Sequence, residues 1–299
     1  MMNLIRLRNL KKIHFFICCF LLSNISYSDT LIHAGNLIDT NNGEISKKVT
    51  IRIVGNKIID VTKGYVKPRG DDEVVNLKDS YVLPGLMDMH VHLTSEYVPK
   101  AERDEGVEPE YSAIFAVNAA SKTLMAGFTS VRNVGDGGME TISLRKAIQK
   151  GLVIGPRIFT SGKTIATTGG HGDPTNGLSK DSYIPPTPEE GVIDSPDEAR
   201  KAVRQRYKDG VDGIKITSTG GVLSVAKSGE NPQFTDAELE AIISTAKDYG
   251  LWTAAHAHGK EGMKRAVLAG ITSIEHGTYM DQEIMDLMKA NGTYYVPTI

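Results

Sequence analysis

The sequence YVLPGLMDMHVHLTSE, Tyr81 to Glu96, decides how the rest of the chain is interpreted. It is an apolar run that ends in two histidines, His90 and His92, separated by one residue. On a β-strand, residues i and i+2 point to the same face and lie about 6 to 7 Å apart. Asp88 shares that face, whereas the residues in between point to the opposite side. The spacing predicts a strand that presents two imidazoles to one metal ion, although so short a pair also arises by chance.

Composition places the chain among ordinary globular proteins. Of its 299 residues, 40% are hydrophobic and 23% are charged, which allows a large buried core. The formal net charge is −2 and the isoelectric point is near 6.5, so the chain lacks the basic footprint of nucleic-acid-binding proteins. Nucleic acid is therefore excluded as a partner.

The first 28 residues have the pattern of an export signal. A basic stretch precedes the apolar core Ile13 to Leu22, and the small residues Ser26 and Ser28 follow it. The apolar core is too short to span a bilayer, so the pattern predicts cleavage after about Ser28 rather than stable membrane insertion. Because Cys18 and Cys19 lie inside the signal, the mature chain would contain no cysteine. We expect a periplasmic or secreted protein.

Two domains are predicted after this signal. Residues 29–80 contain short β-type runs separated by glycine-containing turns, which indicates a small antiparallel sheet. In residues 81–299, apolar strand-like runs alternate with amphipathic helical runs, a pattern typical of a parallel sheet. Strands are predicted at 82–92, 129–134, 157–161, 213–218, 251–257, 271–276 and 293–297. Helices are predicted at 110–126, 140–150, 196–209, 235–249, 260–269 and 280–290.

Such an α/β chain forms either an open doubly wound sheet or a barrel. Polar residues recur at the C-terminal ends of many of the predicted strands, as in a barrel whose active site lies at one face. An open sheet would gather them at a single switch point instead. No Gly-x-Gly-x-x-Gly fingerprint opens any predicted helix. The sequence therefore predicts a (β/α)8 TIM-type barrel that is incomplete, with about seven strands.

Four further polar residues lie at or near the ends of predicted strands of this barrel. They are Lys215 in GIKITSTGG, His256 and His258 in WTAAHAHG, and His276 in SIEHGT. A lysine that points into a barrel without a carboxylate partner must give up its charge, and a neutral amine can react with carbon dioxide to form an anionic carbamate. Any one of these residues alone is commonly structural. Their repeated position at the same end of successive strands predicts one shared site.

From about Leu31 to its end, the chain resembles the metal-dependent amidohydrolase superfamily, in its imidazolonepropionase-like and Xaa-Pro dipeptidase-like (prolidase) branch. The motifs that carry the resemblance are LPGLMDMHVHL, TGGHGD around His171, GIKITSTGG, AAHAHG and IEHGT, in this order. The resemblance implies a (β/α)8 barrel with two divalent metals in its mouth. Zinc is the first expectation, with manganese, iron or cobalt as alternatives.

The resemblance also implies roles for individual residues. The implied metal ligands are His90, His92, Lys215, His256 and His276. In this scheme His90 and His92 hold one metal, His256 and His276 hold the other, and a carboxylated Lys215 bridges the two metals. The implied catalytic residues are Lys215, His171 and His258. His171 lies in a long glycine-rich loop from which it can hydrogen-bond the substrate carbonyl. His258 is expected nearer the substrate, although it can exchange roles with His256.

The implied reaction is hydrolysis of a carbon–nitrogen bond in Xaa-Pro or related dipeptides, by a water that two metals share and activate. The chain departs from the family pattern at its end, because YYVPTI resembles a seventh strand and the eighth strand with its metal-binding aspartate is missing. The chain is then a fragment of a longer enzyme or a non-catalytic remnant. An imidazolonepropionase-like cyclic amidohydrolase is a further alternative. The expected partner is a small molecule or dipeptide, and a homo-oligomer is left open.

Overall fold

The computed structural model describes residues 28–96, 108–224 and 228–299. Contacts divide the chain into two units, Met1–Pro84 and Gly85–Ile299. The predicted export signal falls, apart from Ser28, outside the described residues and stays a prediction. Across the described ranges, no helix combines the length and apolar character needed to cross a membrane.

The first unit is a four-stranded sheet. Its strands are β1 (Thr30–Ile38), β2 (Ile45–Val54), β3 (Lys57–Lys63) and β4 (Glu73–Val82), in the order β3-β2-β1-β4. The β1–β2 and β2–β3 pairs are antiparallel, but β1 and β4 are parallel, so the prediction of an antiparallel sheet is wrong for β4. The reason is the connection at residues 64–72, which returns the chain from the end of β3 to the opposite edge of the sheet before β4 begins.

The second unit alternates strands and helices. Its strands are β5 (Leu86–Val91), β6 (Phe128–Asn133), β7 (Arg157–Thr160), β8 (Gly213–Thr217), β9 (Trp252–Ala257), β10 (Ser273–His276) and β11 (Tyr294–Val296). Its helices are α1 (Pro109–Met125), α2 (Glu140–Gln149), α3 (Pro196–Asp209), α4 (Asp236–Asp248), α5 (Lys260–Leu268) and α6 (Gln282–Asn291). The boundaries agree with those predicted from the sequence to within a few residues, except at the first strand.

All strand pairs of this unit are parallel, in the orders β5-β6-β7 and β8-β9-β10-β11. Ile165, beyond the end of β7, lies against β8. Its N–H donates to the carbonyl of Lys215 at 2.8 Å, and its own carbonyl accepts from the N–H of Thr217 at 3.2 Å. The parallel α/β arrangement, preceded by a small β-domain, confirms the predicted fold class of an incomplete TIM-type barrel.

The predicted strand 82–92 is in fact two strands. Val82 ends β4 of the first sheet, and β5 begins at Leu86. Pro84 has no N–H to give to a ladder, so the strand pairing stops there. At Gly85, an added Cβ would lie 2.2 Å from the side chain of Thr129. A residue without a side chain is therefore needed where the chain comes close to β6, just before β5 begins.

Side chains cap the starts of α3 and α4 in two different ways. Thr235 and Glu238 form the complete box at α4, with each side chain bonded to the backbone of the other. At α3 the Ser195 hydroxyl accepts from the N–H of Glu198 at 3.3 Å, but the Glu198 carboxylate accepts from the N–H of Asp194 at 2.8 Å. Both arrangements satisfy N–H groups at the helix start that the helix itself leaves free.

Two apolar clusters hold the second unit together. One packs α3 to α6 on β8 to β10 and includes Ile214, Ile242 and Ile274, each fully buried. The other packs α1 and α2 on β5 to β7 around Leu144 and Ile158. Each such side chain stabilises the fold by about 1.5–3 kcal/mol on burial. The strands are thereby fixed in register, and their C-terminal ends become a rigid platform for polar side chains.

Candidate metal and catalytic site

Six of the eight histidines of the chain form one cluster. They come from the ends of β5, β9 and β10 and from the loop after β7, and they are His90, His92, His171, His256, His258 and His276. Contacts with ring centroids 4.3 to 5.2 Å apart connect all six. The fold thus brings together every histidine selected from the sequence.

The two His-x-His pairs lie as their strand spacing predicts. The rings of His90 and His92 are 5.2 Å apart, and those of His256 and His258 are 4.7 Å apart. His276 joins the pairs, since its ring lies 4.8 Å from His90 and 4.6 Å from His256. It also stacks on His258 at 5.1 Å. Because both His256 and His258 contact His276, ring contacts do not choose between them as ligands.

Hydrogen bonds to backbone carbonyls fix which nitrogen of two imidazoles is free. Nδ1 of His92 lies 3.1 Å from the carbonyl of Gly135. A carbonyl only accepts, so Nδ1 carries the hydrogen and Nε2 keeps its lone pair. His256 is the reverse, because its Nε2 donates to the carbonyl of Gly220 at 3.0 Å and leaves Nδ1 free. The two ligands predicted for different metals therefore offer different nitrogens.

The other four imidazoles engage Nδ1 with a side chain. The pairs are His90 with Glu275 (2.8 Å), His171 with Ser224 (2.6 Å), His258 with Thr278 (2.7 Å) and His276 with Thr298 (2.9 Å). In each pair Nε2 remains for another partner. A ring held through one nitrogen while the other is free is the usual arrangement of a metal-binding histidine.

Burial lowers the pKa of all six imidazoles. It lowers the pKa of His92 to about 4 and that of His276 to about 3, and the nearby positive charge of Lys215 adds to both effects. The pKa values of the other four shift in the same direction, again mainly through burial. All six rings are consequently neutral at pH 7, which is the form that binds metals.

Lys215 lies on β8 and is 4% exposed. Burial lowers the pKa of its amine to about 8, a shift that the negative charge of Glu275 partly opposes. The Glu275 carboxylate is nevertheless hydrogen-bonded to His90 and Arg132 rather than to the lysine. Two residues further along the same face, the buried hydroxyl of Thr217 has no hydrogen-bond partner among the described residues. Buried polar groups without partners mark a place where a ligand is expected.

Glu275 is a site residue that was not predicted from the sequence. It is 0% exposed, and its carboxylate accepts from His90, Arg132 and Ser273. Burial would raise its pKa, but the bond from His90, the charges of Lys215 and Arg132 and the bond from Ser273 lower it to about 2. The available signal was a carboxylate directly before His276 in the apolar strand SIEH.

Two arginines of the barrel unit, Arg132 on β6 and Arg157 on β7, have different environments. Arg132 is 6% exposed and forms a buried ion pair with Glu275. Its Nε also donates to the carbonyl of Met89 at 2.7 Å. Arg157 is exposed. Arg132 therefore pairs within the protein, and its guanidinium connects β6 to β10 through the barrel interior.

Two backbone features adapt the loops to this cluster. His276 has φ +72°, in the left-handed region, which costs a residue with a side chain about 1–2 kcal/mol. Such strain is characteristic of functional sites. At Gly221 an added Cβ would lie 2.7 Å from both His171 and His256. Only glycine allows the loop after β8 to pass so close to the imidazoles.

A polar cleft of about 530 Å³ opens beside His92. Asp136 and Glu140 contribute carboxylates to its lining, and Thr94 and Ser112 contribute hydroxyls. A second cavity of about 510 Å³ is mostly apolar, and its lining includes Arg132 and Ser273 but none of the six clustered histidines. The cleft at His92 is therefore the better place for a polar substrate.

The cluster fits a divalent metal by its chemistry. It supplies neutral imidazoles, each with one nitrogen free, around a buried lysine. As the rings now lie, no three His, Cys, Asp or Glu side chains in the described ranges meet the geometry of a metal site. The rings pack against one another and would have to separate around an ion. Carboxylation of Lys215 and the division of ligands between two metals stay predictions.

Comparison with known proteins shows which sequences and structures the chain resembles. A sequence model of the amidohydrolase family matches residues 81–299. A crystal structure of a Xaa-Pro dipeptidase with bound methionine in the active site is 60% identical, with a TM-score of 0.88, over 91% of this chain and 67% of that one. A prolidase complexed with N-methylphosphonate-L-proline is 32% identical, with a TM-score of 0.80, over 91% of this chain and 66% of that one.

Among curated proteins, the ochratoxinase of Aspergillus niger is 31% identical over 290 residues. That alignment covers 90% of this chain and 58% of the ochratoxinase. The chain therefore spans less than two thirds of the length of this relative.

Proposed function

The chain belongs to the amidohydrolase family, and from this premise we propose that it is a metal-dependent hydrolase of carbon–nitrogen bonds that acts on Xaa-Pro or related dipeptides. The observation that carries the proposal is the convergence of six histidines and Lys215 at the C-terminal ends of the barrel strands. In barrels of this kind, catalytic residues come from the ends of several strands at that face.

We assign the metal-holding role to His90, His92, His256 and His276, with Lys215 between them. A divalent metal bound there would supply Lewis acidity and lower the pKa of a coordinated water. The chain itself supplies the orientation of the ligands. Gly135 and Gly220 each hold one imidazole through a carbonyl, so that the free nitrogen is chosen before any ion binds.

His171 is assigned to the substrate. Its backbone N–H donates to Gln233 at 2.9 Å and its Nδ1 pairs with Ser224 at 2.6 Å, which fixes both its main chain and its ring. The free Nε2 can donate to a substrate carbonyl if Ser224 provides the hydrogen of the Nδ1 bond. His258, which contacts His256 and His276, is assigned to the substrate side of the metal ligands.

The dipeptide class is supported by two similar structures that carry the names Xaa-Pro dipeptidase and prolidase. Two zinc ions, carboxylation of Lys215 and export to the periplasm or the medium belong to the same proposal. The substrate is taken to be a small molecule or dipeptide, and no nucleic-acid partner is proposed.

The test is hydrolysis by the purified chain with added zinc or manganese. The panel consists of Xaa-Pro, Xaa-Arg and N-acyl amino acids, compared for the parent and for the double variant His90→Ala with His92→Ala. His33→Ala, which changes a buried histidine of the first unit, is the matched control. We expect weak metal-dependent cleavage by the parent and by His33→Ala and none by the double variant. Metal binding without cleavage of any compound would favour a non-catalytic remnant or a fragment, and equal activity of all three proteins would contradict the site.

A further inference from the structure

Glu275 occupies an unusual position in the histidine cluster. Its side chain is completely buried on β10, and both carboxylate oxygens are engaged. Oε2 lies 2.8 Å from Nδ1 of His90, whereas Oε1 accepts from Arg132 at 2.5 Å and from Ser273 at 2.6 Å. The contacts to Arg132 and Ser273 therefore fix the carboxylate while its other oxygen faces one imidazole.

We propose that Glu275 is a positioning residue of a divalent-cation site. Its carboxylate holds His90 in the tautomer with hydrogen on Nδ1, which leaves the lone pair of Nε2 free for the cation. This inference rests on the proposed metal-dependent function. A carboxylate that accepts from one nitrogen of an imidazole fixes the ring orientation and increases the basicity of the other nitrogen. The same residue thus orients a ligand and strengthens it.

The partner of His90 is the only carboxylate among the partners described for the six rings. His92 and His256 use backbone carbonyls, and the others use hydroxyl groups. A hydroxyl donates or accepts and leaves the tautomer open, whereas an ionised carboxylate only accepts. Glu275 is paired with the guanidinium of Arg132 and accepts from Ser273, so its carboxylate acts as an acceptor toward His90. Arg132 in turn provides the charge that keeps this anion stable in the interior.

Arg132 and Ser273 hold the Glu275 carboxylate, and their hydrogen bonds within the described ranges do not go to an imidazole. Arg132 reaches Glu275 from β6, and its Nη1 also donates to the Ser273 hydroxyl at 3.0 Å. The metal ligand on β5 is therefore oriented by a chain of contacts that passes through β10 to β6. Loss of a residue that supports a metal ligand in this way typically weakens metal binding about 10- to 100-fold.

The first experiment reads the tautomer in the metal-free full chain by long-range ¹H–¹⁵N correlation spectra of ¹⁵N-histidine-labelled protein at pH 7.5. The parent is expected to show His90 with hydrogen on Nδ1. A parent with hydrogen on Nε2 of His90 would overturn the inference without any variant. This measurement requires no metal, so it separates failure of the positioning role from failure of the proposed function.

The second experiment compares variants by their tautomer and by zinc affinity, measured in competition with a chromophoric chelator. Glu275→Asp keeps the charge beside Arg132 but shortens the reach to His90, and Glu275→Gln with Arg132→Met removes the buried pair together. Both should give a mixed His90 tautomer and about 10- to 100-fold weaker zinc binding. The control Glu238→Gln changes a buried carboxylate in the capping box of α4 and should behave as the parent. Unchanged tautomer and zinc affinity in the folded Glu275 variants would overturn the proposal.

Discussion

Replacement of Arg132 by methionine should strongly destabilise the second unit. The guanidinium is 6% exposed and donates to Glu275, Ser273 and the carbonyl of Met89. Methionine fills much of the volume but leaves the buried Glu275 anion without its cation. Breaking a buried ion pair from one side costs about 3–5 kcal/mol. For a unit of this size, each kcal/mol lowers the melting temperature by about 2–4 °C, so a decrease of roughly 6–20 °C is expected.

Thermal unfolding followed by circular dichroism in the presence of a chelator measures this effect without any contribution from metal. Arg157→Met is the matched control, because Arg157 is exposed at the start of β7. It should unfold within about 2 °C of the parent, as expected for a surface substitution. The double variant Arg132→Met with Glu275→Gln should lose less stability than Arg132→Met alone, since it removes both charges. If Arg132→Met unfolded at the same temperature as Arg157→Met, the buried pair would not have the structural role assigned to it.

Three further substitutions test separate parts of the account. Gly221→Ala places a Cβ 2.7 Å from His256, about 0.7 Å closer than an ordinary van der Waals contact. The variant should lower kcat/KM about 100-fold and retain its secondary structure by circular dichroism. A parent-like kcat/KM would refute the close approach. At position 276 the backbone has φ +72°, and His276→Asn introduces a residue that tolerates this left-handed conformation. The variant should raise the metal-free unfolding free energy by up to about 1 kcal/mol and lower the zinc content. An unchanged zinc content would exclude His276 as a ligand. Burial raises the pKa of Asp136 from 3.8 to about 6, so its contribution to stability is present below pH 3.8 and is lost as the pH rises through 6. Asp136→Asn should remove up to about 3 kcal/mol of this pH dependence in urea titrations between pH 4 and 7, and identical profiles for variant and parent would contradict the assignment.

The parallel barrel elements were predictable because their signals are local. Helix α3 begins after Ser195 and ends at Gly210, which has φ +88°, and both residues are recognisable in the sequence. The parallel pairing of β1 with β4 was not predictable, since it depends on where the connection at residues 64–72 returns to the sheet. Periodicity identifies a strand but does not specify its neighbour.

The candidate site shows the same division between local and distant information. His90 and His92 could be selected because their spacing on a strand is itself the signal. Glu275 could not, because its significance comes from His90 and Arg132, which lie 185 and 143 residues away in the sequence. A single carboxylate in an apolar strand does not identify its partners. Glu275 was therefore identified only when the fold placed β5, β6 and β10 around the same interior.

The central claim is that the histidine cluster binds a divalent metal. Anomalous diffraction at the zinc absorption edge, from crystals of the full chain grown with zinc, locates such an ion directly. The account predicts anomalous density among His90, His92, His256 and His276, beside Lys215, and its loss in the double variant His90→Ala with His92→Ala. Absence of density in this cluster at saturating zinc, or zinc bound only elsewhere on the chain, would contradict the claim.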